Sequence, residues 1–135
     1  MLLTSLYEWP DMWWLPYRLL DEREAHENIS HRTMPSLQDH EEFVRSRPYD
    51  VWYWFADAHG EPAGCIYLTK QNEIGIGVLK AYRGKGLAES AIAELMRLHP
   101  RDRYLANIAL GNDKSVALFR KFGFSPLQIT LEKRA

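Results

Sequence analysis

The sequence predicts an α+β fold, with helices over a mixed, mostly antiparallel central sheet, and three observations point there. At 135 residues and 15.8 kDa the chain matches the size of one compact domain. A central block, "DVWYWFADAHGEPAGCIYLTK" followed by "EIGIGVL", alternates its apolar and aromatic residues around two turn signals. Segments with helical spacing flank that block, and no repeat, low-complexity tract or linker divides the chain, so the elements must pack on one another.

Taken in order, residues 2–8 fit a short strand or part of a helix. Residues 13–23 read as a helix with Pro16 early in it, where a missing N–H is tolerated. "SLQDHEEFVRSR" offers Ser36 as N-cap, places Leu37, His40, Phe43 and Val44 on one stripe and stops at Pro48, which predicts a helix over 37–46. The central block then gives a three-strand antiparallel meander, turning at His59-Gly60 and at Gln71-Asn72 and ending in a strand over 73–79. A helix near 86–98, a strand "RYLANIAL", a helix over 113–121 and a last strand over 124–131 complete the prediction. Alternation puts Trp52 and Trp54 on one face of their strand and Tyr53 and Phe55 on the other, so packing elements should cover both faces.

Composition narrows the function. Hydrophobic residues make up 46% of the chain and charged residues 26%, with five Trp and seven Tyr, enough to build a real core. The 17 Lys and Arg nearly cancel the 18 Asp and Glu, so no global field favours nucleic acid or an anionic membrane. The single cysteine, Cys65, excludes an internal disulfide framework and a cysteine zinc cluster. It fits a reducing compartment, and cytoplasm is the expected location. "MLLTSLYEWPDMWW" has no basic n-region and no apolar run near the ~20 residues of a membrane span, so neither export nor insertion is signalled.

The most informative stretch is "VLKAYRGKGLAESAIAEL", residues 78–95. Gly84 and Gly86 let backbone amides approach a ligand, and the helix that follows opens with unpaired N–H groups, an arrangement suited to phosphate. Arg83 and Lys85 add positive charge, and Ala88 is small enough to let the helix sit close to a pyrophosphate. An ordinary loop with two solvated cations would look the same from the glycines alone.

Read as R-x-x-G-x-A, Arg83, Gly86 and Ala88 resemble the acetyl-CoA signature of the GNAT acyltransferase superfamily, whose pyrophosphate loop follows an apolar strand like "EIGIGVL". "NDKSVALFRKFGF", residues 112–124, resembles the family's second motif, on the next helix and entering the last strand. The resemblance covers about residues 50–131. It implies a single GNAT-like domain over 1–135 with helices on both faces of the sheet, the helices of 13–46 forming the acceptor wall. It further implies transfer of an acetyl or short acyl group from acetyl-CoA to a primary amine by direct attack, with no metal.

Carried over residue by residue, the resemblance makes Ile76 and Val78 backbone donors to the pantetheine and acyl carbonyl. Arg83, Gly84, Lys85, Gly86, Leu87 and Ala88 supply the pyrophosphate site. Asn112 and Ser115 lie where the family contacts the CoA arm, although Asn112 serves equally as an N-cap and Ser115 as a small packing residue. Phe119 stands where many members place a tyrosine that protonates the departing thiolate; a thiol of pKa near ~8.5 is a tolerable leaving group without it. Glu73, at the start of the central strand, is the candidate base acting through water, and a solvated strand-end glutamate is the alternative. His31 and His40 are rival bases because imidazole titrates near neutrality, but His40 shares a stripe with Phe43 and Val44 and reads as packed. His26, His31 and His40 make no helical metal pair.

The expected partner is a small-molecule amine, with neither nucleic acid nor membrane, and the expected state is monomer or homodimer. An amino sugar on a nucleotide is one acceptor implied by similar family members. Protein N-termini and other small amines are the alternatives, and a non-catalytic acyl-CoA sensor or interaction domain is the alternative of a different class, supported by Phe119.

Overall fold

The computed structural model describes residues 1–23 and 33–135, and its framework is an antiparallel sheet in the order β1-β2-β3-β4. The elements are β1 (Thr4–Ser5), α1 (Trp14–Asp21), α2 (Leu37–Arg45), β2 (Val51–Ala56), β3 (Pro62–Leu68), β4 (Ile74–Val78), α3 (Leu87–Leu98) and α4 (Asp113–Arg120). Two short 3-10 turns, Pro10–Trp13 and Lys80–Tyr82, lead into α1 and out of β4.

The period of two in the strands sorts the core into two layers. On one face Trp52 and Cys65 meet Leu15 and Leu19 of α1 and Val44 of α2. On the other, Phe55, Ile66, Leu68, Ile74 and Val78 meet Ala91, Ile92 and Leu95 of α3 and Phe119 of α4. Helices therefore cover both faces, as the aromatic alternation of β2 requires. Ile66, Leu68, Ile92 and Leu95 are fully buried, each worth about 1.5–3 kcal/mol relative to exposure.

Local chemistry fixes the joints. Ser36 caps α2 by accepting from the Asp39 amide at 3.0 Å, as its sequence position predicts. At the β2–β3 turn the Asp57 carboxylate accepts from the amides of Glu61 and His59, both at 2.9 Å, and these bonds hold its pKa below the usual carboxylate value. Pro16 falls in the first turn of α1, where helix geometry demands no donor from it.

The glycines of β3 and β4 set the spacing between layers. A Cβ on Gly64 would stand 2.5 Å from the Phe55 ring and 2.4 Å from the Gly77 carbonyl oxygen. One on Gly75 would stand 2.0 Å from the Tyr67 ring, and one on Gly77 3.3 Å from Leu19. The run "EIGIG" thus presents isoleucines to the α3 layer and bare backbone to Tyr67 and α1.

The two predicted strands after α3 do not form as ladders. Of residues 103–110, only Leu105 pairs, in a parallel bridge to Glu73 that gives the sheet its mixed character. Leu105 donates to the Asn72 carbonyl and accepts from the Ile74 amide, each at 2.8 Å, and pairing stops there. Residues 124–131 carry no strand, because the edge they would extend is itself unpaired beyond Leu105. The N-terminal segment contributes only the two residues of β1, and the helix expected over 13–23 is α1 preceded by a 3-10 turn.

His40 is 3% exposed, boxed in by Tyr17, Trp13 and Phe43 with ring centroids at 5.2, 6.4 and 6.4 Å. Burial lowers its pKa, opposed by a hydrogen bond to the Trp13 backbone, and its Nε2 has no partner among the described residues. Neutral His40 therefore belongs to the folded state, and the unfolded chain takes up a proton first as pH falls below about 6.5. Burial lowers the pKa of His99 in the same way, with Arg101 adding to the effect.

Two stability predictions follow from this packing. Gly64→Ala should cost about 1–3 kcal/mol in urea unfolding, because the Gly77 carbonyl cannot swing aside, whereas Gly77→Ala should cost less because Leu19 can yield by a few tenths of an ångström. Stability should also decline as pH drops below about 6.5, by at most ~1.4 kcal/mol per pH unit for each histidine. His40→Phe should flatten part of that decline, and a pH series of unfolding midpoints with an unchanged slope would refute the assignment.

Candidate active site

Strand β4 is paired on one side only, and hydrogen-bond alternation decides what its other side offers. Leu79 donates to the Ala63 carbonyl at 2.8 Å, and Thr69 donates to the Glu73 carbonyl at 2.9 Å. Residues 73, 75, 77 and 79 therefore turn their backbone groups toward β3, and 74, 76 and 78 turn theirs away. The Ile74 amide is taken by Leu105, but the amides of Ile76 and Val78 face the gap where residues 106–110 leave the strand unpaired. The Val78 carbonyl in that gap accepts from Arg83 Nε at 2.9 Å, which lays the guanidinium across the open edge.

At the far end of β4 the chain passes through the 3-10 turn Lys80–Tyr82 into the glycine turn. Gly84 has φ +79° and Gly86 φ +76°, in the left-handed region where a side chain is strained. A Cβ at either position would meet nothing within 4 Å, so the turn is open on its outer side. Gly86 is the N-cap of α3 and has no side chain to bond the first-turn amides of Leu87 and Ala88. Arg83 and Lys85 are exposed beside it, with Lys85 Nζ 5.7 Å from the Tyr82 ring centroid. Open amides, the positive end of the helix dipole and two cations suit a pyrophosphate.

At the near end, the Glu73 carboxylate is held on both oxygens: Thr69 Oγ1 donates to one at 3.1 Å and Asn107 Nδ2 to the other at 2.6 Å. Glu73 shares a strand face with Gly75, over which the Tyr67 ring lies. Tyr49 stacks on Tyr67 at 3.8 Å with planes 10° apart, and the Tyr7 hydroxyl pins the Tyr49 backbone, donating to its carbonyl at 2.8 Å and accepting from its amide at 2.9 Å. Burial raises the pKa of both stacked tyrosines, with Arg23 opposing. Both hydroxyls are thus neutral at physiological pH.

Asn112 caps α4 by accepting from the Ser115 amide at 3.3 Å, and both residues are half-buried. Phe119 is 4% exposed and meets Phe124 edge-to-face at 5.0 Å, so its ring is part of the α3–α4 core. His40 is enclosed, and His26 and His31 lie outside the described residues. Tyr49, Tyr67 and Asn107 were not singled out from the sequence. Only the strand register puts Tyr67 opposite Gly75, and only the bridge at Leu105 brings Asn107 to Glu73.

A cavity of about 530 Å³ lined by Lys70, Asn72, Pro100, Arg101, Asp102 and Arg103 opens at the β3–β4 turn, the other end of β4 from the glycine turn. Among the described residues no group of three His, Cys, Asp or Glu could hold a metal, and no helix is long and apolar enough to cross a membrane. Burial pushes the Cys65 thiol well above its usual pKa, which keeps it protonated and unreactive.

Comparison with known proteins agrees with this geometry. The fold matches a solved spermidine N-acetyltransferase SpeG R149-K152 chimera from Vibrio cholerae and hSSAT at TM-score 0.74 and 20% identity, covering 99% of this chain and 86% of that one. It matches the dodecameric spermidine N-acetyltransferase from Vibrio cholerae in an intermediate state at 0.74 and 19%, covering 98% and 84%. It matches the ribosomal-protein-alanine N-acetyltransferase from Brucella melitensis at 0.66 and 22%, covering 93% and 85%. No curated protein sequence matches the chain significantly. The acetyltransferase (GNAT) family model spans residues 5–124, taking in β4, the glycine turn and the α4 motif together, and the chain belongs to that family of acetyl-CoA-dependent acetyltransferases.

Proposed function

We propose that this protein acetylates the primary amine of a small aliphatic acceptor, with both substrates laid along β4. The observation that carries the reading is the polarity of that one strand: open amides and a basic glycine turn toward its end, a braced carboxylate and stacked tyrosines toward its start. The residues fit acetyl-CoA, because the left-handed glycines leave open space beside uncapped helix amides. Arg83 through Ala88 would hold the pyrophosphate, and the Ile76 and Val78 amides the arm and acyl oxygen. Asn112 and Ser115, at the start of α4, would contact that arm. Bound acetyl-CoA would supply the activated acetyl thioester.

The chain's own groups do the rest. The Ile76 amide donates to the acyl oxygen, where negative charge grows as the amine attacks. Glu73 receives the amine proton. Three residues of strand separate it from Ile76, about 10 Å at 3.3 Å per residue, so the proton travels through water. Asn107 and Thr69 hold the carboxylate in place for this. Phe119 has no hydroxyl and its ring is buried, so solvent protonates the departing thiolate.

For the acceptor, a carboxylate beside an aromatic pair suits a cationic chain through charge and cation–π attraction. The solved spermidine N-acetyltransferases of similar fold make polyamines the first acceptors to test. An amino sugar on a nucleotide would need a second anion site, for which the cavity lined by Lys70, Arg101 and Arg103 at the same end of β4 is the candidate. The Brucella melitensis relative keeps a protein N-terminus as a second reading.

Release of free thiol from acetyl-CoA should be measured against polyamines, amino-sugar nucleotides and peptide N-termini. We expect turnover with the polyamine class. Strong stabilisation by CoA with no thiol release from any class would instead identify an acyl-CoA sensor. Glu73→Gln should lower kcat by roughly 10²–10⁴-fold while leaving acetyl-CoA affinity nearly intact, and should recover part of the deficit at high pH where the amine is already neutral. Wild-type rates at every pH would return the proton to solvent.

The cofactor half is tested separately by calorimetry at two ionic strengths. Lys85→Ala should weaken CoA binding most at low salt, and Gly86→Val should weaken it at both, since the left-handed backbone and the open approach are lost together. Unchanged affinity in both variants would remove the pyrophosphate assignment.

A further inference from the structure

Cations just beyond the C-terminus of a helix are common, because the helix dipole is negative there. The end of α3 goes further than that. Arg101 and Arg103, from the segment after α3, and Lys70, from the β3–β4 turn, meet around the cavity of about 530 Å³, with Asp102 as the carboxylate in its lining. Lys70 comes from a different element, so the dipole of α3 does not account for it. Among the described residues neither Lys70 nor Arg103 has an ion pair or a side-chain hydrogen bond, and both are exposed.

Arg101, by contrast, is held in place. Its Nη2 donates to Asp50 Oδ2 at 2.7 Å and its Nη1 to Asn72 Oδ1 at 3.4 Å, which leaves its side chain 29% exposed. A guanidinium carries more N–H donors than these two bonds use. Asn72 is itself fixed in the left-handed region at φ +67°, and its carbonyl accepts from the Leu105 amide at 2.8 Å. The turn that presents Lys70 is thereby tied to the segment that presents Arg103. The negative end of α3 works against an anion, but the Tyr104 hydroxyl donates to the His99 carbonyl at 2.7 Å and accepts from the Arg101 amide at 3.0 Å. Burial and then Arg101 lower the pKa of His99, with Asp50 opposing. The charge that His99 senses from this side is therefore net positive even though Asp50 pairs with Arg101.

We propose that this cavity is a second anion site, built for the diphosphate group of a small phosphorylated molecule. A positioned guanidinium and two unpaired cations on separate elements suit an anion with several oxygens better than a lone carboxylate. The volume lies in the range of small-molecule sites and exceeds what one phosphate fills. CoA does not account for the site. Its pyrophosphate is assigned to the glycine turn at the other end of β4, and at about 3.3 Å per residue the five residues of that strand span roughly 17 Å. The diphosphate can arrive on the acceptor, because Glu73 directly follows Asn72, or on a free nucleotide, and its chemistry is the same in both. The site does not depend on the polyamine reading.

The test is calorimetry on the full chain with CoA at saturation, so that the glycine turn is occupied. Inorganic pyrophosphate should then bind once more, and more weakly as salt rises. The double variant Lys70→Gln/Arg103→Gln should weaken this event by about ten-fold or more, and CoA affinity should not change. Asp102→Asn should strengthen it by about three-fold, since a carboxylate facing the anion is removed; a gain of affinity cannot come from a damaged fold. Lys85→Ala should leave it unchanged, which separates this site from the cofactor assignment. Uridine diphosphate and UDP-glucosamine distinguish the two sources. A preference of about ten-fold for the amino sugar places the diphosphate on the acceptor, and equal affinity places it on a free nucleotide. Absence of pyrophosphate binding, binding indifferent to the Lys70/Arg103 pair, or binding lost in Lys85→Ala would overturn the proposal.

Discussion

The outer edge of β4 is the constraint on which the rest of the site depends. On its inner side the strand is paired with β3 along its whole length. On its outer side, among the described residues, its backbone is bonded at the Leu105 bridge and, at the Val78 carbonyl, by the Arg83 side chain. Backbone amides in a sheet are normally consumed by the next strand, so an unpaired stretch keeps donors that face solvent or a ligand. The divergence begins right after Ile74; among the described residues no backbone carbonyl takes the Ile76 or Val78 amide, and Arg83 reaches the Val78 carbonyl. Had residues 106–110 continued the ladder, the gap would close and no room would remain along the strand.

Two features keep that edge in position. The α3–α4 layer packs on Ile74 and Val78 from one face, through Ala91, Ile92, Leu95 and Phe119. The α1–α2 layer approaches the other face closely because Gly75 and Gly77 have no side chains, so Tyr67 and Leu19 lie directly on the backbone. Glu73 closes the near end by bonding to both Thr69 and Asn107, which ties the β3–β4 turn to the segment that diverges. The carboxylate therefore has a structural role, and a carboxylate has more acceptor sites than these two bonds fill.

The glycine turn and the buried ring of Phe119 divide the family's chemistry in this chain. On the side of the glycine turn, left-handed glycines, uncapped helix amides and two cations meet within a few residues, as the proposed pyrophosphate site needs. The leaving-group side lacks a hydroxyl, because the position that often carries a tyrosine holds a phenylalanine packed on Phe124. A thiolate departs readily enough for solvent to protonate it, so acyl transfer does not require a hydroxyl there.

Much of this was legible in the sequence, since period-two and helical spacing, the Ser36 cap and the turn residues are local signals with local causes. The α+β class, α2, the meander, α3 and the glycine turn follow from them, whereas Ile76 and Val78 were expected only from the family resemblance. What the tertiary structure decided depends on distant partners. "RYLANIAL" and residues 124–131 have strand-like alternation, yet the first bonds only at Leu105 and the second not at all, because a strand exists only where an edge accepts it. Phe119 resembled a cofactor position, but its depth was set by Phe124 and α3. Tyr67 over Gly75 and Asn107 on Glu73 come from strand register and a crossover, which no run of neighbouring residues encodes. Hydrogen bonding along the backbone can be read from the chain itself, whereas which surfaces come together is fixed only when the layers pack.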